Sequence, residues 1–358
     1  MKILDFYIIR KFLVTFFTAI SLIIIIVIVV DVSENIQDFL DGKAPIMEII
    51  TGYYLNFIPY FVNLLSPLFT FIAVIFFTSK MSGNSEIVGM LNAGMSLYRL
   101  LVPYLISAVI IGILSFYLSN FLIPTTSRNL MAFKEKYVSR QVRPKQSDIH
   151  IKLTTDTYAY IHYWDNLNLK GHDFWYEKFD KDGVAYKISA QTISWDSVEA
   201  KWRLSNYVKR YISGINEKVE TGLAMDTVIN MKPSDFVWVK NGVDIMNYKE
   251  IRTFIAEEKA KGSSIVKVYE VEKHRRIAFP FSTIILTVVG VCVSSRKSRQ
   301  GMGLHLLVGL AISFSFIMLM QVSQVFAISG GVPIQLSIWV PNILYSLLCV
   351  GLLLTTPK

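Results

Sequence analysis

Apolar positions along this chain gather into six stretches free of Asp, Glu, Lys and Arg, arranged as two groups of three. Residues 12–30, 53–78 and 100–123 form the first group, and residues 277–295, 304–327 and 334–355 the second. Each can cross a hydrocarbon layer of about 30 Å as a helix, which takes about 20 apolar residues. Residues 124–276 are too polar to join them. The pattern predicts three membrane helices, one large extramembrane domain, then three more helices.

Inside the insert the period shortens to two. Residues 157–164, Thr-Tyr-Ala-Tyr-Ile-His-Tyr-Trp, read as a strand. Phe174-Trp175-Tyr176 and Ala185-Tyr186-Lys187-Ile188 flank Asp182-Gly183, a favoured hairpin turn. Further strands are predicted at 201–212 and 218–229, and such an antiparallel run suggests a sandwich or an open β-roll. Over residues 248–261, Ile251, Phe254 and Ile255 fall on one helical face, and Gly262 stands where a C-terminal cap belongs. A strand over 265–271 is expected to lead into the fourth span.

Composition agrees with a membrane protein. Hydrophobic residues make up 53% and the mean hydropathy is +0.44, more apolar surface than a soluble domain hides. The net charge of +9 points only weakly to anionic lipid, because membrane proteins are often basic at their flanks. Cys292 and Cys349 each lie in an apolar span and read as small buried hydrophobes, not a disulfide or metal pair. Lys2, Arg10 and Lys11 precede the first span, but no small-residue cleavage site follows it, so it reads as a retained helix.

Basic residues set the orientation. The N-terminus and the segments 79–99 and 296–303 carry Lys2, Arg10, Lys11, Lys80, Arg99, Arg296, Lys297 and Arg299. The loop after span one is acidic, with Asp31, Glu34, Asp38, Asp41 and Glu48 against Lys43. Both termini are therefore expected in the cytoplasm, with the large domain on the opposite side.

Catalytic motifs are absent: the sequence has no Walker A loop, GxSxG, HExxH or CxxC. No cofactor and no nucleic acid is expected on this chain. His150 and His162 could share a sheet face, but solvated strand histidines are far commoner than metal pairs. The ion-free spans also argue against a proton- or ion-coupled carrier. Uphill transport would need energy from a partner.

Two segments suggest more than scaffold. In residues 82–94, Asn84 or Ser85 can cap a short helix, and Glu86 suits the dipole of its first turn. Ile87, Met90 and Leu91 make an apolar stripe, Gly94 ends the helix, and Ser96 can cap span three. Such a helix either docks into a nucleotide-binding subunit or lies on lipid. The second segment is a basic collar at the far mouth: Arg128, Lys134 and Lys136 after span three, and Lys273, Arg275 and Arg276 before span four. It is either a solvated flank or a set of contacts to the phosphates of an anionic lipid.

Together these residues resemble the LptF/LptG family, permease subunits of the bacterial lipopolysaccharide exporter. The resemblance covers essentially the whole chain. It rests on Ser85-Glu86-Ile87 with Ala93-Gly94, on Lys249-Glu250-Ile251 with Lys261-Gly262, and on Tyr269 with residues 272–280, Glu-Lys-His-Arg-Arg-Ile-Ala-Phe-Pro. It implies a six-helix (3+3) α-helical membrane protein with an inserted all-β, jellyroll-like periplasmic domain. The expected boundaries are 1–127, 128–272 and 273–358.

The resemblance also implies a multi-pass protein of the Gram-negative inner membrane that takes lipopolysaccharide from the outer leaflet. A paralogous LptF- or LptG-type permease would complete the pair. An LptB-type ATPase dimer would supply ATP and Mg, and LptC- and LptA-type proteins would receive the lipid. By the same resemblance Glu86 is the coupling-helix acid, and Lys134 with its neighbours lies near basic lipid contacts. Some relatives carry lysines at the outer end of helix one, where this chain has Asp31, Glu34 and Asp38. The Gly331-Val332-Pro333 loop, Pro341 and the short tail lean toward LptG. The alternative is a membrane-anchored periplasmic scaffold that transports nothing.

Overall fold

All six apolar stretches are helical in the computed structural model, which describes residues 3–355 apart from 139–145, 166–167, 181–182, 198, 200, 215, 232, 234–241, 262–264 and 296–301. The long helices are α1 (Ile3–Asp41), α2 (Ile46–Gly83), α4 (Leu97–Tyr137), α6 (Val266–Ser294), α7 (Met302–Ser329) and α8 (Ile334–Thr355). Two short helices punctuate them: α3 (Glu86–Asn92) and α5 (Tyr248–Lys261). Gly262, Asp182 and the basic loop at 296–299 lie outside the described residues.

The first three rods outrun the apolar stretches within them. At 1.5 Å per residue, α1, α2 and α4 reach about 60 Å, twice the hydrocarbon thickness. The acidic residues 31–41, expected as a loop, are the last turns of α1, and residues 128–137 are the last turns of α4. Nucleation is the costly step in helix formation, so a long apolar helix extends readily through polar residues of fair propensity. An aromatic cluster holds the extensions together: Phe39 of α1 packs on Tyr53 and Phe57 of α2 and Phe133 of α4. One π turn interrupts each of α2 and α4, at Ile49–Tyr54 and Leu118–Leu122. In each, a nearby amide side chain serves carbonyls freed from the regular ladder. Asn56 Nδ2 donates to Thr51 O and Gly52 O, and Asn120 Nδ2 to Phe116 O.

By internal packing the chain divides into two units. Met1–Arg140, Asp244–Lys249 and Lys267–Lys358 make the first, and Gln141–Val243 with Glu250–Val266 the second. In the first, Phe12 and Phe16 of α1, Phe77 of α2, Tyr104 and Ile111 of α4 and Val291 of α6 form one core. Phe314, Met318 and Val325 of α7 are exposed, as lipid-facing positions should be.

Among the described residues the second unit holds six antiparallel strands: β1 (Gln146–Thr154), β2 (Thr157–Asp165), β3 (Lys170–Asp180), β4 (Gly183–Asp196), β5 (Lys201–Ser213) and β6 (Asn216–Thr227). They pair in chain order, β1 through β6. That is an up-and-down meander, and the described strands make none of the Greek-key crossings of a jelly roll. Ile161, Phe174, Ile188, Ile193 and Leu204 are buried in one apolar core, whereas Tyr160 is partly exposed. Trp202 is buried with them and donates its indole N–H to Met231 O at 3.0 Å. In α5, Ile251 and Ile255 are buried, in keeping with the face read from their spacing.

One segment contradicts the strand expected at 265–271, which is the first turns of α6. Its valines and tyrosine favour strands in isolation. Val266, Tyr269, Glu272 and Arg276 are nevertheless buried at three- and four-residue intervals, and that helical period prevails.

Gly171 of β3 is a position where size decides. A Cβ there would sit 2.8 Å from Ile193 Cγ2 and 3.1 Å from Ile161 Cγ2. Gly171→Ala is expected to cost about 1–3 kcal/mol by overpacking. Faster limited proteolysis of the β-domain in the full-length protein would show it.

Candidate functional site

Chemistry-bearing residues collect at both ends of the helical bundle. At one end α2 stops at Gly83, Ser85 takes a left-handed backbone with φ 62°, and α3 begins at Glu86. Ser85 holds the N-cap place but makes no side-chain cap bond, while Asn84 Nδ2 donates to Glu86 Oε1 at 3.1 Å. Gly94, at φ +83°, closes α3, with Met95 N–H bonding back to Met90 O. Ser96 Oγ then accepts from Arg99 N–H and caps α4. The stripe, which the sequence left open between a docking subunit and lipid, packs inward within this chain. Ile87 is fully buried in the bundle core, and Met90 and Leu91 pack against that core. Val88, Gly89 and Asn92 are left on the exposed side, beside the half-exposed Glu86. Three further links hold this end. Arg99 Nη2 meets the buried Asp5 at 2.7 Å, Ser79 Oγ lies 3.0 Å from His305 Nδ1, and Ser82 donates to Ser295 O.

At the opposite end, Glu272, Arg275 and Arg276 share one face of α6 through i, i+3 and i, i+4 spacing. Glu272 pairs with Arg275 Nε at 2.7 Å and with Arg276 Nε at 2.9 Å, and Arg276 is only 3% exposed. Arg276 Nη1 donates to Met246 O at 2.8 Å, and Arg128 Nε donates to Ile245 O at 2.9 Å. The turn after residue 243 is thus strapped to α4 and α6 by two arginines. Asp244 in that turn has its carboxyl pushed up, first by burial and then by the Glu272 carboxylate, against the lowering influence of Arg275 and Arg276. Tyr60, Asn63, Ser119 and these charged groups line a cavity of about 30 Å³, room for about one water. Beneath it Asn63 bridges α2 to α4, donating to Ser119 Oγ and accepting from Ser115 Oγ.

The six collar cations therefore have different surroundings. Arg128, Arg275 and Arg276 converge on residues 244–246. Lys136 pairs with Glu48 at 3.1 Å, a carboxylate that also accepts from Tyr137 OH at 2.6 Å. Lys134 lies over the Tyr53 ring, 5.5 Å from its centroid. Lys273 is partly exposed on another face of α6. The sequence reading missed the acids paired with Arg275, Arg276 and Lys136, although the 272–276 spacing was there to be read. It also missed that Asp31 accepts from both Tyr53 OH and Tyr54 OH, at 3.2 and 3.1 Å.

The family model for the lipopolysaccharide export system permease LptF/LptG matches residues 6–355, nearly the whole chain. The chain belongs to the LptF/LptG family. No curated protein matches it significantly. As an LptF/LptG permease it is a transport component, and both ends of its bundle acquire a context. One end offers a short helix pinned by Ile87, and the other a charged, water-sized cavity.

Asp244 allows a pH test of this end of the permease. Its folded carboxyl binds a proton more tightly than an unfolded one, so the ionised form costs stability at high pH. That cost disappears as pH falls through the raised value. Asp244→Asn is expected to raise the thermal midpoint of the solubilised permease near pH 8. The gain should shrink steadily on acidification, as a pH series of melting curves would show.

Proposed function

We propose that this permease is the LptG-type half of an ATP-driven exporter in a Gram-negative inner membrane. Its termini and α3 face the cytoplasm, and the β-domain faces the periplasm. A paralogous LptF-type permease completes the pair, and lipopolysaccharide drawn from the outer leaflet passes to LptC- and LptA-type proteins. An LptB-type ATPase dimer supplies the energy and holds the ATP and Mg.

The observation that carries this reading is α3. Its apolar stripe is spent on anchoring the helix, so force on the exposed face formed by Glu86, Val88 and Asn92 passes directly into α1, α2 and α4. The basic N-terminus and residues 80 and 99 favour the cytoplasmic side for that face. At the periplasmic mouth, Lys273, Lys134 and the exposed edge of Arg275 are the cations best placed for lipid phosphate. The Glu272 pair holds the mouth together.

The test is a pull-down of the tagged permease in detergent, read by mass spectrometry. An ATPase and a second permease of this family should copurify in stoichiometric amounts. A chain that purifies alone, or with periplasmic proteins only, would favour a scaffold.

A further inference from the structure

Strands ordinarily put polar residues on their solvent face, yet the solvent face of β1–β3 carries a row of rings. His150 pairs across to Tyr160, and Tyr160 to Trp175, with ring centroids 4.7 and 5.2 Å apart. In the next row Tyr158 pairs with Glu177, and Glu177 with Lys187. Lys187 Nζ lies 2.6 Å from Glu177 Oε1 and 4.6 Å from the Trp175 ring centroid. Trp175 is 45% exposed and Tyr158 40%. His150, Tyr158, Tyr160, Trp175 and Glu177 border a hollow of about 450 Å³, with Lys187 beside Trp175 and Glu177.

A single exposed apolar side chain needs no explanation, but a contiguous aromatic floor around a hollow marks a binding surface. We infer that this face of β1–β3 is a saccharide platform, which on the permease reading takes the sugar portion of lipopolysaccharide. A sugar ring offers an apolar C–H face that lies flat on an aromatic ring, and an edge of hydroxyls that both donate and accept. The floor supplies Trp175 and Tyr160. The rim supplies Glu177 as acceptor, Lys187 as donor, and His150 and the tyrosine hydroxyls as either. An acyl chain would leave the carboxylate and ammonium of that rim desolvated. A strand-adding protein partner would take an edge of the sheet, not its face.

The experiment uses full-length permease in a detergent without a sugar headgroup. It is titrated with deacylated lipopolysaccharide oligosaccharide and followed by saturation-transfer NMR. Wild type should bind saturably. Trp175→Ala and Tyr160→Ala should each weaken binding at least tenfold, and Trp175→Phe, which keeps a ring, should recover most of it. No saturable binding, or equal binding by all variants, would overturn the inference. So would variants that bind oligosaccharide normally but lose capture of a purified periplasmic bridge protein, because the face would then be a protein interface. The probe has no acyl chains and the assay needs no ATP. A permease that still extracts intact lipopolysaccharide while failing here would lose this inference alone.

Discussion

Glu272→Ala is expected to destabilise the helical bundle severely. It leaves Arg275 and the buried Arg276 without their carboxylate. Removing one partner of a buried ion pair costs about 3–5 kcal/mol, because the survivor keeps its desolvation penalty. Two survivors place this variant at the upper end of that range. Arg276 also holds Met246 O, so damage should spread to the turn entering α5. The permease should accumulate poorly and melt well below wild type. Combining Glu272→Ala with Arg276→Met should recover part of the loss, since one uncompensated charge goes with it. A double-mutant cycle on thermal midpoints reads that coupling. Additive losses would mean that the pair contributes no coupling.

The second large effect separates the two faces of α3. Ile87 is fully buried, so Ile87→Asp forfeits its burial, about 1.5–3 kcal/mol, and places a carboxylate in an apolar core. That variant should fail to assemble in the membrane. Val88, one residue on, is 39% exposed, and Val88→Asp should leave yield and melting unchanged while ATPase copurification is lost. Glu86→Ala should behave like Val88→Asp in a milder form, with stability within about 0.5 kcal/mol of wild type. If Val88→Asp and Glu86→Ala both retain the ATPase, the exposed face of α3 is not the docking surface.

These outcomes show where sequence reasoning held and where it stopped. Runs free of charge announce membrane helices because the bilayer tolerates nothing else, and period-two patterning announced strands. The caps at Gly94 and Ser96 were readable because a cap depends on a few consecutive residues. Periodicity groups Ile87, Met90 and Leu91 on one face but cannot say what covers that face. The stripe of a docking helix and that of an anchored helix look alike in a sequence. Long-range pairing was hidden for the same reason. Nothing local in Asp5 points to Arg99, or in Ser79 to His305. At 265–271, local β-propensity pointed one way and the adjoining helical period the other. The collar cations were visible as charges; Glu272 beside Arg275 and Arg276 was legible from its i, i+3 and i, i+4 spacing, whereas Glu48 beside Lys136 is remote in the chain and was not.

Extraction of lipopolysaccharide by a reconstituted complex decides whether the permease works in ATP-driven export. The permease, copurified with its ATPase and partner permease, is placed in liposomes loaded with lipopolysaccharide. A photocrosslinker goes into an added periplasmic acceptor protein. Adducts should build up with ATP, stop when a non-hydrolysable analogue replaces it, and fall to background with Val88→Asp. Adducts that form equally without ATP, or none from a complex that hydrolyses ATP normally, would contradict ATP-driven export.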